Sequence, residues 1–251
     1  MKILAIESSG QVASAAILAD EKILAEYTTN FKITHSQTLM PMISEICKMT
    51  ETDLNTLDAV AISGGPGSFT GLRIGSATGK ALAMAIDKPV VHVPTLDAMA
   101  YNFWGSSGLI VPIMDARRSQ VYTGVYTFEN GALKVLEKGT AMSINELLEL
   151  IYDKYTSKEV VDKSLENKGF CEFEKVIFLG DGVSTFKEVV KSEAKFEFAF
   201  APANLSEQRA SSVAALAAVY YNEGKIMNAD DEAPDYLRPS QAERERAERE
   251  K

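Results

Sequence analysis

The chain has 251 residues, of which 46% are hydrophobic, so it holds enough apolar material for one large or two modest cores, and a folded α/β protein is expected. Its formal net charge is −9 and no basic stripe is present, which disfavours direct binding of nucleic acid by this chain alone. Cys47 and Cys171 are far apart and outside any C-x-x-C pattern, so neither a disulfide scaffold nor a thiolate zinc site is expected.

The N-terminal sequence predicts a buried strand rather than a targeting segment. Met1–Ile6 is too short for the core of a signal peptide, and Glu7 follows it at once. No apolar run in the chain reaches the roughly 18 residues of a membrane span. We therefore expect a cytoplasmic protein with no membrane partner.

The first half of the sequence predicts a mixed sheet covered by helices. Three strands joined by short connections come first, and a helix with apolar residues at helical spacing follows them. A Gly-rich turn then separates the next strand from a second long helix. The predicted strands are Lys2–Ile6, Val12–Leu18, Lys22–Thr28, Asp58–Ser63 and Pro89–Val93, and the predicted helices are Ser36–Lys48, Thr70–Ile86 and Thr95–Trp104.

The same pattern restarts at Leu109, which predicts an internal duplication into two lobes. The predicted strands of this half are Leu109–Met114, Gln120–Phe128, Leu133–Thr140, Lys175–Leu179 and Phe196–Ala199, and the predicted helices are Ile144–Lys154, Val183–Lys191 and Val213–Asn222. The predicted divisions are a first lobe at 1–106, on which a C-terminal helix near 206–224 packs back, a second lobe at 107–205, a polar loop or insertion at 156–171, and a charged tail at 240–251.

The histidines and serines do not form a recognisable catalytic or metal-binding pattern. The only histidines, His35 and His92, are each followed at the i+4 position by a leucine, whereas a helical metal site needs a second imidazole there. No serine lies in a G-x-S-x-G turn. We therefore assign no catalytic and no metal-binding residue.

The Gly-rich turn Ser63–Gly71 lies between a strand and a helix, where backbone N–H groups can bind an anion. It does not match the P-loop pattern, and Pro66 removes one N–H donor. Glycine can also serve there to permit positive φ and close packing. Anion binding and a purely structural turn both remain open, and we favour the structural turn.

Gly71, Gly75, Gly79 and Ala83 recur every four residues in the helix that follows. Each interior glycine costs a helix about 1 kcal/mol relative to alanine, so the row needs a structural reason. A ridge without side chains lets another backbone approach closely. The ridge could pack on the chain's own sheet or on a partner helix, and both interpretations remain open.

Several motifs together resemble the bacterial TsaB family over nearly the whole chain. The most specific of them is the run GGPGSFTGLRIG at Gly64–Gly75. The other matching segments are Lys2–Ser9, Val12–Leu18, His35–Gln37 with Leu39 and Pro41, Val111–Arg118 with Val121 and Tyr122, Gly180–Gly182, and Tyr236–Pro239.

This resemblance implies an α/β fold of two ribonuclease-H-like lobes, with mixed sheets flanked by helices, as in the superfamily of actin, Hsp70 and the sugar kinases. It also implies two partners, the catalytic paralogue TsaD and the ATPase TsaE. TsaD transfers threonylcarbamoyl to adenosine 37 of tRNA, so tRNA would be met only indirectly. A homodimer is expected when TsaD is absent.

Departures from the active paralogue imply that this chain has no turnover of its own. Leu39 stands where the second histidine of the TsaD metal site would be. The phosphate-binding hairpins of the superfamily correspond to Glu7–Gly10 and Asp115–Arg118, and the second contains two bulky arginines. The adenosine motif is interrupted by Asp181. No cofactor is expected on the chain alone, and any nucleotide would bind only at the interface with a partner.

The sequence thus predicts a non-catalytic scaffold or activator that binds TsaD through the two helices of its first lobe. The candidate contacts are Met40, Ile43, Ile46, Gly71, Gly75 and Gly79, while Leu39, Met42 and Cys47 are alternative core residues. Gly75→Leu would then abolish TsaD binding and leave thermal stability nearly intact. The alternative is a small-molecule kinase or nucleotide hydrolase of the same superfamily. A metallopeptidase would need ligands that the sequence lacks.

Overall fold

The computed structural model describes residues 1–31, 34–156 and 175–238 of the chain. The chain forms two compact units, one comprising Met1–Ala98 and the segment from Gln208 onward, the other Met99–Glu207. Most of the predicted loop at 156–171 and the whole charged tail at 240–251 lie outside the described residues. Within the described ranges, no helix has the length and apolar character needed to cross a membrane.

The observed helices and strands follow the predicted order. The strands are β1 Lys2–Glu7, β2 Ala13–Ala19, β3 Lys22–Thr29, β4 Ala59–Gly65, β5 Val90–Pro94, β6 Leu109–Asp115, β7 Gln120–Glu129, β8 Ala132–Ser143, β9 Val176–Leu179 and β10 Phe198–Phe200. The α-helices are α1 His35–Met49, α2 Phe69–Ala85, α3 Thr95–Tyr101, α4 Ile144–Ile151, α5 Gly182–Glu193, α6 Ala203–Ser206 and α7 Ala210–Asn222.

Many ends of the elements shift by one to three residues from the prediction, and 3₁₀ helices at Leu54–Thr56 and Ala229–Asp231 are additional. Two further differences concern helices. The predicted helix at 144–154 is α-helical only to Ile151 and continues as a π-helical turn over Tyr152–Thr156. The short helix α6 was not predicted, because its four residues carry no periodic apolar pattern.

The two units contain the same sheet. In the first unit the strand order is β3-β2-β1-β4-β5, and in the second it is β8-β7-β6-β9-β10. In both sheets the first three strands of the sequence pair antiparallel, and the last two add in parallel. This is the ribonuclease-H-like topology, and its repetition confirms the predicted duplication.

The core of the first unit lies between its sheet and the long helices. Leu4, Ile6 and Ile62 from the sheet form one apolar cluster with Ile43 and Ile46 of α1. Helix α7 contacts β1 and β2, and the Ala210 N–H at its start donates a hydrogen bond to Ser14 Oγ at 3.2 Å. The second unit has its own cluster around Phe178, which contacts the rings of Phe196, Phe198 and Phe200.

Glu26 on β3 fixes the beginning of α7. Its carboxylate accepts hydrogen bonds from Arg209 Nη2 at 2.7 Å, the Ser211 N–H at 2.9 Å and Ser211 Oγ at 2.7 Å. Burial alone would raise the pKa of Glu26, but these bonds and the charge of Arg209 outweigh burial and hold the pKa below its ordinary value. The carboxylate therefore joins the start of α7 to the first sheet.

Glu26→Gln is expected to lower the free energy of unfolding by about 1–3 kcal/mol at pH 7, because charge-assisted hydrogen bonds are lost. A depressed carboxyl pKa gives stability that is present above the ordinary pKa of 4.5 and is lost as the pH falls through the native value. The difference between wild type and variant should therefore shrink below pH 4.5 in urea denaturation. A difference that stays constant from pH 7 to pH 3 would contradict this account.

Candidate functional site

The Gly-rich turn between β4 and α2 is filled by other parts of the first unit. A Cβ on Gly64 would overlap the imidazole of His92, and one on Gly65, whose φ is +124°, would overlap the carbonyl oxygen of Asp235. Gly67 lies equally close to the backbone of Ser9. The glycines therefore permit close approach of neighbouring chain segments, which supports the structural interpretation of the turn.

The glycine ridge of α2 faces the sheet of its own unit. A Cβ on Gly71 or Gly75 would overlap the backbone oxygen or the hydroxyl of Ser8, and one on Gly79 would lie 2.5 Å from Ile62 Cδ1. Ser8 Oγ also donates a hydrogen bond to the Gly71 carbonyl at 2.9 Å. Because the glycines carry no side chains, Ser8 and the Ile62 side chain contact the backbone of α2 directly.

This packing changes the assignment of the predicted contact residues. Gly71, Gly75 and Gly79 are buried against the sheet, and Ile43 and Ile46 are core residues of α1 with at most 1% exposure. Of the predicted set only Met40, 48% exposed, lies on the surface. Among the alternative core residues Leu39 is fully buried, and Met42 and Cys47 are half-buried against the core.

The outward face of α2 carries a second row of small residues, Ala77, Ala81 and Ala85, all of them exposed. Met84 lies on the same face and is 57% exposed. Helix α1 packs beside α2 and adds Met49, 65% exposed. We call Met49, Ala77, Ala81, Met84 and Ala85 the helical surface. Met40 is nine residues from Met49 and therefore lies on the opposite side of α1, so it is not part of this surface. An i, i+4 alanine row offset from the glycines was visible in the sequence and was overlooked.

The first hairpin of the unit, Glu7–Gly10, is closed by its own contacts. Glu7 is 1% exposed, and its Oε1 accepts a hydrogen bond from the Ser9 N–H at 2.6 Å. Burial raises the pKa of the Glu7 carboxyl above its ordinary value, despite hydrogen bonds from Ser9 and Ser63. His35 Nε2 lies 2.9 Å from the Gly10 carbonyl oxygen. These groups hold the hairpin together and leave no charged carboxylate facing solvent.

Glu7→Gln is expected to stabilise the protein at alkaline pH relative to wild type. With its pKa raised in the folded state, the carboxyl opposes folding increasingly as the pH rises above 4.5, and an amide of the same shape does not. Chemical denaturation at pH 4.5 and pH 8 measures the effect. Parallel stability curves for the two proteins would contradict it.

In the second unit the hairpin between β6 and β7 is tight and bears exposed arginines. Arg117, Arg118 and Ser119 have φ values of +63°, +55° and +59°. Asp115 Oδ1 accepts a hydrogen bond from the Arg117 N–H at 2.7 Å and thereby stabilises this turn. Three successive left-handed residues with side chains leave no glycine-lined cradle at this hairpin.

The segment Gly180–Gly182 lies beside that hairpin. A Cβ on Gly182 would lie 2.8 Å from the carbonyl oxygen of Ile113, and Asp181 Oδ1 accepts a hydrogen bond from the Asp115 N–H at 3.2 Å. Burial raises the pKa of Asp181, and the charge of Asp115 adds to this. Within the part of the chain that the structure describes, no group of three or more His, Cys, Asp or Glu side chains could hold a metal ion.

A duplicated ribonuclease-H-like sheet with flanking helices defines a protein of the class that includes actin, Hsp70 and the sugar kinases. A family model described as TsaD, tRNA N6-adenosine threonylcarbamoyltransferase, matches residues 22–246. The tRNA threonylcarbamoyladenosine biosynthesis protein TsaB of Bacillus subtilis is 33% identical over 249 residues, 97% of this chain and 96% of that protein. The chain belongs to the TsaB family.

Two further comparisons agree with this assignment. TsaB of Escherichia coli is 35% identical over 134 residues, which cover 52% of this chain and 58% of that protein. The structure of YeaZ from Pseudomonas aeruginosa superposes with a TM-score of 0.73 at 23% identity, covering 94% of this chain and 99% of that one. The YeaZ match shows that the fold is shared over both units.

Proposed function

We propose that this chain is a non-catalytic subunit that binds a TsaD-type transferase and supports the threonylcarbamoylation of adenosine 37 in tRNA. Its curated relatives are named as tRNA threonylcarbamoyladenosine biosynthesis proteins, and the matching family model is named for the transferase. The observation that carries the proposal is the helical surface, an exposed apolar face on two adjacent helices. The two hairpins that bind phosphate in active members of the superfamily are closed in this chain by their own residues.

The closed hairpins support the absence of turnover by the chain alone. The Glu7 carboxyl is buried with a raised pKa, so it is poorly suited to hold a charged magnesium–phosphate group. Leu39 stands in place of a second histidine and is fully buried in the core. Arg117 and Arg118 occupy the turn where the active superfamily members need close backbone approach. A protein can keep the fold of this superfamily without catalysing a reaction of its own.

The helical surface has the composition of a docking site. Contiguous exposed apolar patches mark interaction sites, and methionine side chains adapt to irregular partner surfaces. The alanine row lets a partner backbone come close to α2. In the absence of the transferase, the same face would pair two copies of the chain about a two-fold axis.

The remaining features of the proposed complex follow from this role. A TsaE-type ATPase joins the assembly, any nucleotide binds at the interface with a partner, and tRNA is contacted by the transferase. The net charge of −9 agrees with a chain that does not grip tRNA alone. The assembly would act in the cytoplasm.

The test is reconstitution with one component left out at a time. This chain, a TsaD-type transferase, a TsaE-type ATPase and unmodified tRNA are mixed with ATP, threonine, bicarbonate and the enzyme that makes threonylcarbamoyl adenylate. Modified adenosine is then quantified by mass spectrometry. Modification should require this chain, which by itself should modify nothing. Full activity without the chain would refute the proposal. Tight binding of magnesium-ATP to the isolated chain, measured by calorimetry, would instead favour a kinase or nucleotide hydrolase.

A further inference from the structure

The residues Ala229–Arg238, which we call the strap, run along α2 in the opposite direction to the helix. Near the end of α2, Lys80 Nζ donates a hydrogen bond to the Asp230 carbonyl at 3.2 Å. Near its start, the ring of Tyr236 lies 4.7 Å from that of Phe69. The strap therefore covers a third face of α2, distinct from the glycine ridge and from the exposed alanine row.

The middle of the strap is held by a histidine between two carboxylates. His92 Nδ1 lies 3.6 Å from Glu232 Oε1, and His92 Nε2 lies 3.1 Å from Asp235 Oδ2. The other oxygen of Glu232 accepts a hydrogen bond from Ser76 Oγ of α2. The Asp235 N–H donates to the Gly64 carbonyl at 2.7 Å, which fixes the strap to the end of β4.

Only the protonated imidazole attracts both carboxylates, because a neutral imidazole carries no charge and has a single N–H. Among the described residues Glu232 Oε1 is buried without a hydrogen-bond partner, so it depends on the charge of the imidazolium 3.6 Å away. The Glu232 side chain has no solvent exposure, so its ion pair is shielded from water, whereas Asp235 is 64% exposed. Burial alone would lower the pKa of His92, but Glu232 and Asp235 outweigh it and hold the pKa above 6.5.

The other groups near this pair do not replace the imidazolium. From α2, the neutral Ser76 faces Glu232, and Lys80 Nζ donates to the Glu232 carbonyl at 2.7 Å. From β4 the neighbour is Gly64, which has no side chain. Burial alone would raise the pKa of Glu232, but His92, Ser76 and Lys80 together hold it below its ordinary value. When His92 loses its proton, Ser76 and Lys80 remain as the groups that favour the charged form of Glu232.

We propose that His92 and Glu232 form a proton-controlled latch, which holds the strap against α2 while the imidazole is protonated and loosens it when the imidazole is neutral. Loss of the proton leaves a buried carboxylate beside an imidazole that can donate to only one partner. The latch explains why two glycines end β4. Without a side chain, Gly64 leaves space for the His92 ring and Gly65 leaves space for the backbone of the strap. It does not depend on the proposed function.

The direction of the pH effect follows from linkage. A histidine whose folded pKa is raised contributes stability that is fully present below 6.5 and is lost as the pH rises through the folded value. The Glu232 contribution, from a depressed pKa, is lost only as the pH falls below 4.5. The latch is thus closed between about pH 4.5 and 6.5 and weakens above that range.

Amide hydrogen exchange of the strap tests the latch, compared at pH 6.0 and pH 8.5 after correction for the intrinsic exchange rate. Protection of residues 229–236 should fall several-fold at the higher pH in wild type, while protection of β1 should not change. In His92→Gln and Glu232→Gln, protection should be low and independent of pH. His35→Gln removes the other histidine and should keep the wild-type dependence.

A second readout covers the case in which a variant fails to fold. The NMR titration of His92 in the wild-type chain should give a midpoint above that of an unperturbed histidine, coincident with the loss of strap protection. Unchanged strap protection across this titration would overturn the latch. So would a His92 that titrates below 6.5.

Discussion

Replacing Gly75 by leucine is expected to unfold the first unit rather than to disturb a binding surface. The new side chain would be driven into Ser8, whose hydroxyl already occupies the Cβ position, with Ile6 close behind. Overpacking of a well-filled core costs about 1–3 kcal/mol and more where backbone must move. Since a domain has only about 5–15 kcal/mol of stability, this variant should lie near or below the folding threshold.

The matched control is Ala77→Leu, two residues along the same helix but on its exposed face. Its stability should stay within about 0.5 kcal/mol of wild type, as for other surface substitutions. Thermal unfolding followed by circular dichroism compares the two variants. A Gly75→Leu protein as stable as Ala77→Leu would show that the glycine ridge does not pack as described.

A double-mutant cycle tests whether Ser8 Oγ is the atom that makes a side chain at position 75 destabilising. Gly75→Ala adds a Cβ that overlaps Ser8 Oγ, whereas Ser8 Cβ would be 3.4 Å away, an ordinary contact. Ser8→Ala alone loses the hydrogen bond to the Gly71 carbonyl, at a cost of about 1 kcal/mol. The loss of unfolding free energy in the double variant should be smaller, by about 0.5–3 kcal/mol, than the sum of the losses in the two single variants. Additive effects would exclude Ser8 Oγ as the source.

Ala81→Arg is expected to weaken binding of a TsaD-type transferase by about 30-fold to 1,000-fold, while the free energy of unfolding changes little. Ala81 lies at the centre of the exposed alanine row, where a large charged side chain would prevent close approach of the partner and lose its own hydration. The same substitution should abolish self-association of the isolated chain. Calorimetric titration with the transferase and size-exclusion chromatography provide the two measurements.

The control for this variant is Ala203→Arg, at an alanine that is also exposed and begins α6 in the other unit. It introduces the same charge and should bind the transferase as wild type does. Wild-type affinity for Ala81→Arg would remove the helical surface from the proposal but leave the reconstitution result unaffected. An equal loss of affinity for the transferase in both variants would indicate that the added charge weakens binding wherever it is placed.

Much of the fold was predictable because its signals are local. The predicted helix at 70–86 is α2 at Phe69–Ala85, with Ser68 as its N-cap, and the restart at Leu109 is the first strand of the second sheet. Strand and helix periodicities depend on neighbours within a few residues, so they can be read from the chain directly. The family could also be inferred from the GGPGSFTGLRIG run.

The sequence by itself determined the duplicated fold, the family, and the pairing of Gly71, Gly75 and Gly79 on one helical face. Only the tertiary structure decided what that face touches, because periodicity shows which residues share a face but not which neighbour covers it. The same limit explains why the sequence predicts Ile43 as a contact residue, whereas the structure shows it buried in the core. The latch could not be predicted for the same reason, because His92 and Glu232 lie far apart in sequence and meet only where the strap runs back along α2.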